Sequence, residues 1–97
     1  MKGTEKQIAW AEDIRRGAYN VLDWIEDRHA HDRFYNTTDM MYVSPEAVKA
    51  LRAEFDAVFA TIDSAAVIID RREIFSRDWI IKHGRDWMRH NGQPVVG

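Results

Sequence analysis

The sequence contains no cysteine, only two prolines and only five glycines among its 97 residues. Without cysteine the chain can form neither a disulfide nor a thiolate metal site, so nothing in it requires an oxidising compartment. The scarcity of proline and glycine favours a helical protein over a many-turned β-sandwich. No apolar run approaches the roughly 18 residues of a membrane span, and no signal-peptide segment follows Met1 and Lys2. We therefore expect a cytoplasmic protein that does not enter a membrane.

Motifs of the common catalytic sites are missing as well. We find no Gly-rich phosphate loop, no G-x-S-x-G nucleophile elbow, and no order of serine, histidine and aspartate that brings a nucleophile to a base. A general base also needs a pocket, which a few helices of this size rarely provide. The sequence therefore predicts a protein without catalytic activity and without a cofactor.

The composition suffices for one hydrophobic core, because 45% of the residues are hydrophobic in a chain too short for two cores. We expect a single domain over residues 1–97.

The charge is divided unevenly: residues 1–70 contain eight Lys and Arg against thirteen Asp and Glu, whereas residues 71–97 contain six against three. The acidic and the basic part of the chain can therefore face different partners.

Capping residues and apolar spacing predict a first helix over about residues 4–33. The Thr4 side chain can accept the backbone N–H of Gln7, whose own side chain can reach back to Thr4, as in a capping box. Apolar residues then recur at three- and four-residue spacing along one face. Because tryptophan is common in cores, we expect at least one of Trp10 and Trp24 to lie there.

A second helical region begins after a loop of about ten residues. Ser44 can cap it, and Pro45 occupies the first helical position, where its missing N–H costs nothing. The apolar spacing that follows predicts helix over residues 45–72, either as one helix or as two that are broken near residues 62–64.

The third helix is expected over residues 76–91, with Ser76 as its cap. Gly84 permits close backbone packing or marks a break, and the apolar stripe favours continuity because it resumes in phase beyond this glycine. Residues 93–97 are expected to form a flexible tail. Three such helices predict an all-α, single-domain bundle.

Two segments resemble a known group of proteins. GTEKQIAWAEDIR, at residues 3–15, resembles the opening of small proteins carried by phages, plasmids and integrative elements of Gram-positive bacteria. SAAVIIDRR, at residues 64–72, is similar to their second motif, a Ser-Ala pair followed later by Ile-Asp-Asn-Arg. The resemblance implies a mobile-element origin, in which short accessory proteins often inhibit host defence, including CRISPR nucleases.

The last helix carries the candidate partner-binding residues, which combine positive charge with an aromatic side chain: Arg77, Trp79, Lys82, Arg85 and Arg89. We expect Arg85 and Arg89 to project away from the apolar stripe. Arginine interleaved with aromatic residues can also bind phosphates and stack on bases, so nucleic acid is an alternative ligand. The simplest alternative is a solvated basic face on which Asp78 and Asp86 pair with Lys82 and Arg89.

The four histidines occur in two pairs, and they are the candidate metal ligands. His29 and His31 lie close together on the first helix, while His83, Asp86 and His90 lie near one face of the last helix. Imidazole and carboxylate groups suit Zn²⁺. The spacing of known zinc motifs is absent, however, so exposed or capping histidines are the favoured interpretation.

These observations favour a non-catalytic interaction protein of a phage or mobile element. Its most concrete role is inhibition of a host defence nuclease, such as a CRISPR effector, by direct protein binding. The alternative is a nucleic-acid-binding accessory protein that uses the basic last helix. Acidic residues of the first helix, including Asp13, Asp23 and Glu26, offer a second surface that imitates phosphates toward a basic partner.

Overall fold

A computed structural model describes residues 1–97 and confirms the all-α fold. The helices are α1 (Glu5–His31), α2 (Pro45–Thr61), α3 (Ala65–Asp70) and α4 (Arg77–His90), with a 3₁₀ turn at Arg72–Phe75 before α4. The three long helices α1, α2 and α4 correspond to the predicted ones. None of the helices combines the length and the hydrophobicity that are needed to cross a membrane.

The helices begin where the capping residues predict. The backbone N–H of Gln7 donates to Thr4 Oγ1 at 3.1 Å, and the N–H of Thr4 donates to Gln7 Oε1 at 3.0 Å. This reciprocal pair satisfies two N–H groups that have no partner inside the helix. Ser44 and Ser76 also accept hydrogen bonds from the first turns of α2 and α4. All three predicted starts are confirmed.

The chain is broken between α2 and α3, which decides between one helix and two over residues 45–72. The backbone N–H of Lys2 donates to the carbonyl of Asp63, and the N–H of Ala65 donates to the carbonyl of Lys2, both at 2.8 Å. The N-terminal residues therefore supply partners for backbone groups that a helix end would otherwise leave unsatisfied. This bridge spans most of the sequence, so no local pattern could have predicted it.

The core lies where α1, α2 and α4 meet. Its largest fully buried side chains come from all three long helices, from α3 and from the loop before α2: Leu22, Ile25, Val43, Val48, Leu51, Ile68, Ile80 and Met88. Trp10 and Trp24 are not among them, because 48% of Trp10 and 39% of Trp24 is exposed. The expectation that at least one of these tryptophans lies in the core is therefore wrong.

Gly84 marks a close approach between α4 and the loop before α2. A Cβ atom at this position would lie 2.8 Å from Val43 Cγ1, which is closer than packed carbon atoms allow, and 3.2 Å from Leu51 Cδ1, which is a tight contact. α4 is continuous through the glycine. The expected continuity of the helix is confirmed, and the glycine packs closely, against the side chains of Val43 and Leu51 rather than against a backbone.

The C-terminal residues fold back after α4. Gly92 has a φ of 71°, and the N–H of Gln93 donates to the carbonyl of Met88 at 2.9 Å, as in a Schellman motif. Ser44 Oγ then donates to Gln93 Oε1 at 2.6 Å, and Val95 packs against the core. Residues 93–97, expected to form a flexible tail, have no regular secondary structure, but they lie against the fold instead of extending into solvent.

Candidate functional site

An open groove of about 410 Å³ runs along the solvent face of α4. We call it the α4 groove. Met41 comes from the loop before α2, while the other lining residues are spaced one helical turn apart along α4. The complete set is Met41, Asp78, Ile81, Lys82, Arg85, Asp86 and Arg89.

The structure brings most of the predicted partner-binding residues to this groove. Lys82, Arg85 and Arg89 line it directly. Trp79 lies beside it, in a smaller depression that shares Lys82 with the groove. Arg77 points elsewhere, because it lines a separate depression with Trp24 of α1. The predicted surface is therefore contiguous except for Arg77.

Arg85 does not project into solvent as expected, and this expectation is corrected. It is the only buried charged residue, with 7% of its surface exposed. Its Nη1 donates to the carbonyl of Tyr42 at 3.0 Å and to that of Asp39 at 3.3 Å, and its Nη2 donates to the carbonyl of Val96. The apolar stem lets the guanidinium reach these carbonyls from the edge of the core. Arg85 therefore fastens the loop and the C-terminal residues to α4.

The charge of Arg85 is not balanced by an ion pair. Burial, followed by the nearby positive charge of Arg89, lowers the pKa of the guanidinium from its ordinary value. An arginine still stays charged at any physiological pH. Its field therefore adds to the positive potential of the groove.

Lys82 is the exposed cation of the groove that is paired with no carboxylate. Arg89 donates to Asp86 Oδ1 at 2.8 Å and to the carbonyl of Gly97 at 2.9 Å. Asp78 lies 3.7 Å from Arg77. Asp86 and Asp78 thus contact arginines and not Lys82. The ammonium group of Lys82 is therefore available to a ligand.

Exposed apolar side chains occur in the loop before α2 and at the chain end, and sequence reasoning did not assign them to a site. Met40 is 68% exposed, Met41 39% and Val96 42%. Met40 lies against the chain end, because a Cβ atom on Gly97 would be 3.6 Å from its Cε. The signal in the sequence was the adjacent methionine pair in a loop of polar residues, since methionine adapts well to a partner surface.

Trp79 is held in place by His83 and α2. The two rings stack with 4.7 Å between their centroids, and His83 Nε2 lies 3.2 Å from both carboxylate oxygens of Glu54. The contact with Glu54 restricts the His83 ring, and stacking on that ring restricts the indole of Trp79 before any partner binds. His83 therefore connects α4 to α2 and orients Trp79.

The candidate metal ligands are not brought together. His29 Nε2 lies 2.7 Å from the carbonyl of Val43, and His31 Nδ1 lies 3.1 Å from Asp27. His90 is exposed, and Asp86 binds Arg89. No group of three or more histidine, aspartate and glutamate side chains lies close enough to hold a metal ion. The structure gives His29 and His83 other contacts instead.

No protein-family model, curated protein or solved structure matches this chain. The site is therefore interpreted from its own chemistry. An apolar floor of Met41 and Ile81 beside an unpaired ammonium group suits a ligand that presents an apolar side chain next to a carboxylate.

Proposed function

We propose that the protein binds another protein through the α4 groove and has no catalytic activity of its own. Its most concrete role is inhibition of a host defence nuclease, such as a CRISPR effector, in the cytoplasm of a bacterium that carries the phage or mobile element. The observation that carries the proposal is the combination of the apolar floor with Lys82, which has no carboxylate partner.

The composition of the groove favours a protein ligand. An apolar side chain placed over Met41 and Ile81 would lose contact with water, which is the main favourable term in protein association. A carboxylate beside it would pair with Lys82 and would speed the encounter through charge complementarity. Trp79, held by His83, adds a rigid aromatic residue of the kind that is enriched in binding hot spots.

Three carboxylates weigh against nucleic acid as the ligand of this surface. Asp78 and Asp86 lie among the cations of the α4 groove, and Glu54 contacts His83 beside Trp79. A row of phosphates along the groove would meet these negative charges, whereas a single carboxylate of a protein ligand needs to meet only Lys82.

The acidic residues of α1 are less suited to imitate phosphates. Arg52 of α2 donates to Asp23 Oδ1 at 2.9 Å and to Glu26 Oε1 at 2.8 Å. Asp13 is paired with Arg16 at 2.9 Å. These pairs occupy three of the acidic side chains of α1, whereas Lys82 in the α4 groove has no carboxylate partner, so the groove is the better candidate.

A cleavage assay with purified CRISPR effector nucleases tests the proposal. We expect the wild-type protein to inhibit cleavage and Lys82→Glu with Arg89→Glu to lose inhibition. The matched control is Arg33→Glu with Lys49→Glu, which reverses two charges at exposed positions away from the groove and should inhibit as well as wild type. Circular dichroism should show both variants to be as helical as the parent.

A gel shift with single-stranded and duplex DNA separates protein binding from the alternative. We expect no shift at either about 50 mM or about 200 mM salt. A shift that weakens steeply between these concentrations would instead favour a nucleic-acid-binding accessory protein. In the cleavage assay, full inhibition by Lys82→Glu with Arg89→Glu would contradict the proposal that the α4 groove binds the nuclease.

A further inference from the structure

The apolar floor of the α4 groove depends mainly on one exposed side chain, that of Met41. Of the two residues that form the floor, Ile81 is only 6% exposed, whereas Met41 is 39% exposed. An apolar side chain of a ligand would therefore rest largely on the Met41 thioether. A change in the polarity of this thioether would alter the groove without involving the core.

The loop before α2 holds Met41 at the surface through its backbone. The N–H of Met41 donates to Asp39 Oδ1 at 2.7 Å, and its carbonyl accepts a hydrogen bond from the Tyr35 hydroxyl at 3.1 Å. Arg85 binds the carbonyls of Asp39 and Tyr42 on either side of the methionine pair. None of these bonds uses the Met41 side chain. A small reagent can therefore reach the thioether in the folded protein, and a chemical change there leaves the loop anchored.

The four methionines differ sharply in their exposure to solvent. Met40 is 68% exposed, Met1 42% and Met41 39%, whereas Met88 is 1% exposed. The sulfur of Met88 lies in the core, where it accepts a hydrogen bond from the backbone N–H of Ser44 at 3.4 Å. Because the sequence contains no cysteine, no thiol of this chain consumes an oxidant before the methionines do. Hydrogen peroxide therefore meets the exposed thioethers first.

We propose that Met41 is an oxidation site at which hydrogen peroxide blocks binding to the α4 groove, an inference that rests on the proposed function of this groove. The Met41 sulfur attacks one oxygen of the peroxide, so that an S–O bond forms and the O–O bond breaks. Sulfur loses two electrons to the peroxide, whose second oxygen leaves as water after proton transfer. The product is methionine sulfoxide, which methionine sulfoxide reductases convert back to methionine, so the block is reversible.

The sulfoxide opposes binding because it is polar. Its oxygen would stand on the floor of the groove, where the ligand places an apolar side chain, and the ligand would have to displace water from it. Met40 is more exposed than Met41 but does not line the groove. Oxidation of Met40 should therefore leave the floor unchanged, and the effect on binding should depend on Met41 alone.

Peptide mass spectrometry after limited treatment with hydrogen peroxide tests the modification. We expect Met41 to gain one oxygen while Met88 stays reduced and circular dichroism shows unchanged helicity. Met88 is the internal control for unfolding, because the core must open before peroxide reaches its sulfur. Oxidation of Met41 no faster than that of Met88 would overturn the proposal.

A cleavage assay with a purified CRISPR effector nuclease tests the effect on binding, after catalase has removed the peroxide. The wild-type protein, Met41→Leu and the matched control Met40→Leu are each assayed before and after oxidation. Leucine keeps an apolar side chain of similar volume and has no sulfur to oxidise. We expect oxidation to raise the concentration for half-maximal inhibition at least about tenfold in wild type and in Met40→Leu, but less than about twofold in Met41→Leu. Methionine sulfoxide reductases should restore inhibition by the oxidised wild type.

The remaining outcomes separate the oxidation site from the function of the groove. If wild type with fully oxidised Met41 inhibits as well as the untreated protein, the block is excluded, while binding through the α4 groove is not contradicted. An equal loss of inhibition in all three forms would assign the effect to another residue and would also exclude Met41. If untreated wild type inhibits no nuclease, the proposed function fails, and the role of Met41 fails with it.

Discussion

The Nη1 atom of Arg85 lies 3.0 Å from the carbonyl oxygen of Tyr42 and donates a hydrogen bond to it. Through this bond and those to Asp39 and Val96, one side chain of α4 holds both the loop before α2 and the end of the chain. Met41, which forms part of the apolar floor of the α4 groove, belongs to that loop. The shape of the groove therefore depends on Arg85, whereas under the proposed function the more exposed cations Lys82 and Arg89 would contact the ligand.

Replacing Arg85 should destabilise the fold. Arg85→Met keeps an apolar stem but leaves three buried or partly buried carbonyls without their donor, so we expect a loss of about 2–3 kcal/mol in the free energy of unfolding, measured with urea. Arg89→Met is the control, because Arg89 is exposed and should cost less than about 1 kcal/mol. A similar loss for both variants would contradict the structural role of Arg85.

The two interior helix glycines should respond to alanine in opposite directions. In Gly84→Ala the new methyl group meets Val43 and Leu51, so we expect a loss on the order of 1–3 kcal/mol despite the better helix propensity. Gly17→Ala places the same methyl group in open space and should stabilise the fold by up to about 1 kcal/mol. Stabilisation by both substitutions would contradict the packing at Gly84.

Stability should fall at alkaline pH through Tyr19. Its hydroxyl donates to Asp56 Oδ1 at 2.5 Å, and burial, followed by this bond and the charge of Asp56, raises the pKa of Tyr19 to about 12. The phenol of an unfolded chain titrates near pH 10. The contribution of Tyr19 is therefore complete below about pH 10 and is lost as the pH rises to about 12. The urea concentration at the midpoint of unfolding should decline over that pH range. The decline should be smaller in Tyr19→Phe, because phenylalanine has no hydroxyl to titrate.

An absorbance titration of tyrosinate identifies the group behind this decline. Asp56→Asn removes the negative charge and should lower the pKa of Tyr19 toward its ordinary value. Burial also raises the pKa of Tyr35 and of Tyr42, so part of the alkaline titration should persist in both variants. An unchanged titration curve in Asp56→Asn would contradict the proposed pairing.

The helix starts were predictable because their signals are local. Thr4 and Gln7 are three residues apart, and Ser44 and Ser76 act on the turns that follow them directly. The alignment of α4 through Gly84 was predictable for the same reason, since the apolar period is visible on both sides of the glycine. The caps depend on backbone groups within one turn, and the apolar stripe depends on side chains along a single helix.

The partners of Arg85, Trp10 and Ser64 were not predictable in this way. Arg85 binds carbonyls more than forty positions earlier in the chain, and Ser64 pairs with Lys2 across most of the sequence. A core position was expected for at least one of Trp10 and Trp24 because tryptophan is common in cores, but the Trp10 ring is half exposed and lies against Arg72. Such contacts depend on how the helices pack, and a single sequence contains no direct signal for them.

The most direct measurement of the central claim is the affinity of the protein for an inhibited defence nuclease, determined by titration for three forms of the chain. We predict that Lys82→Glu with Arg89→Glu binds at least about tenfold more weakly than wild type, because it reverses the exposed charges of the α4 groove. Arg33→Glu with Lys49→Glu should bind within about twofold of wild type, since both positions lie outside the groove. Equal affinity of all three forms would contradict the claim that the α4 groove binds the partner.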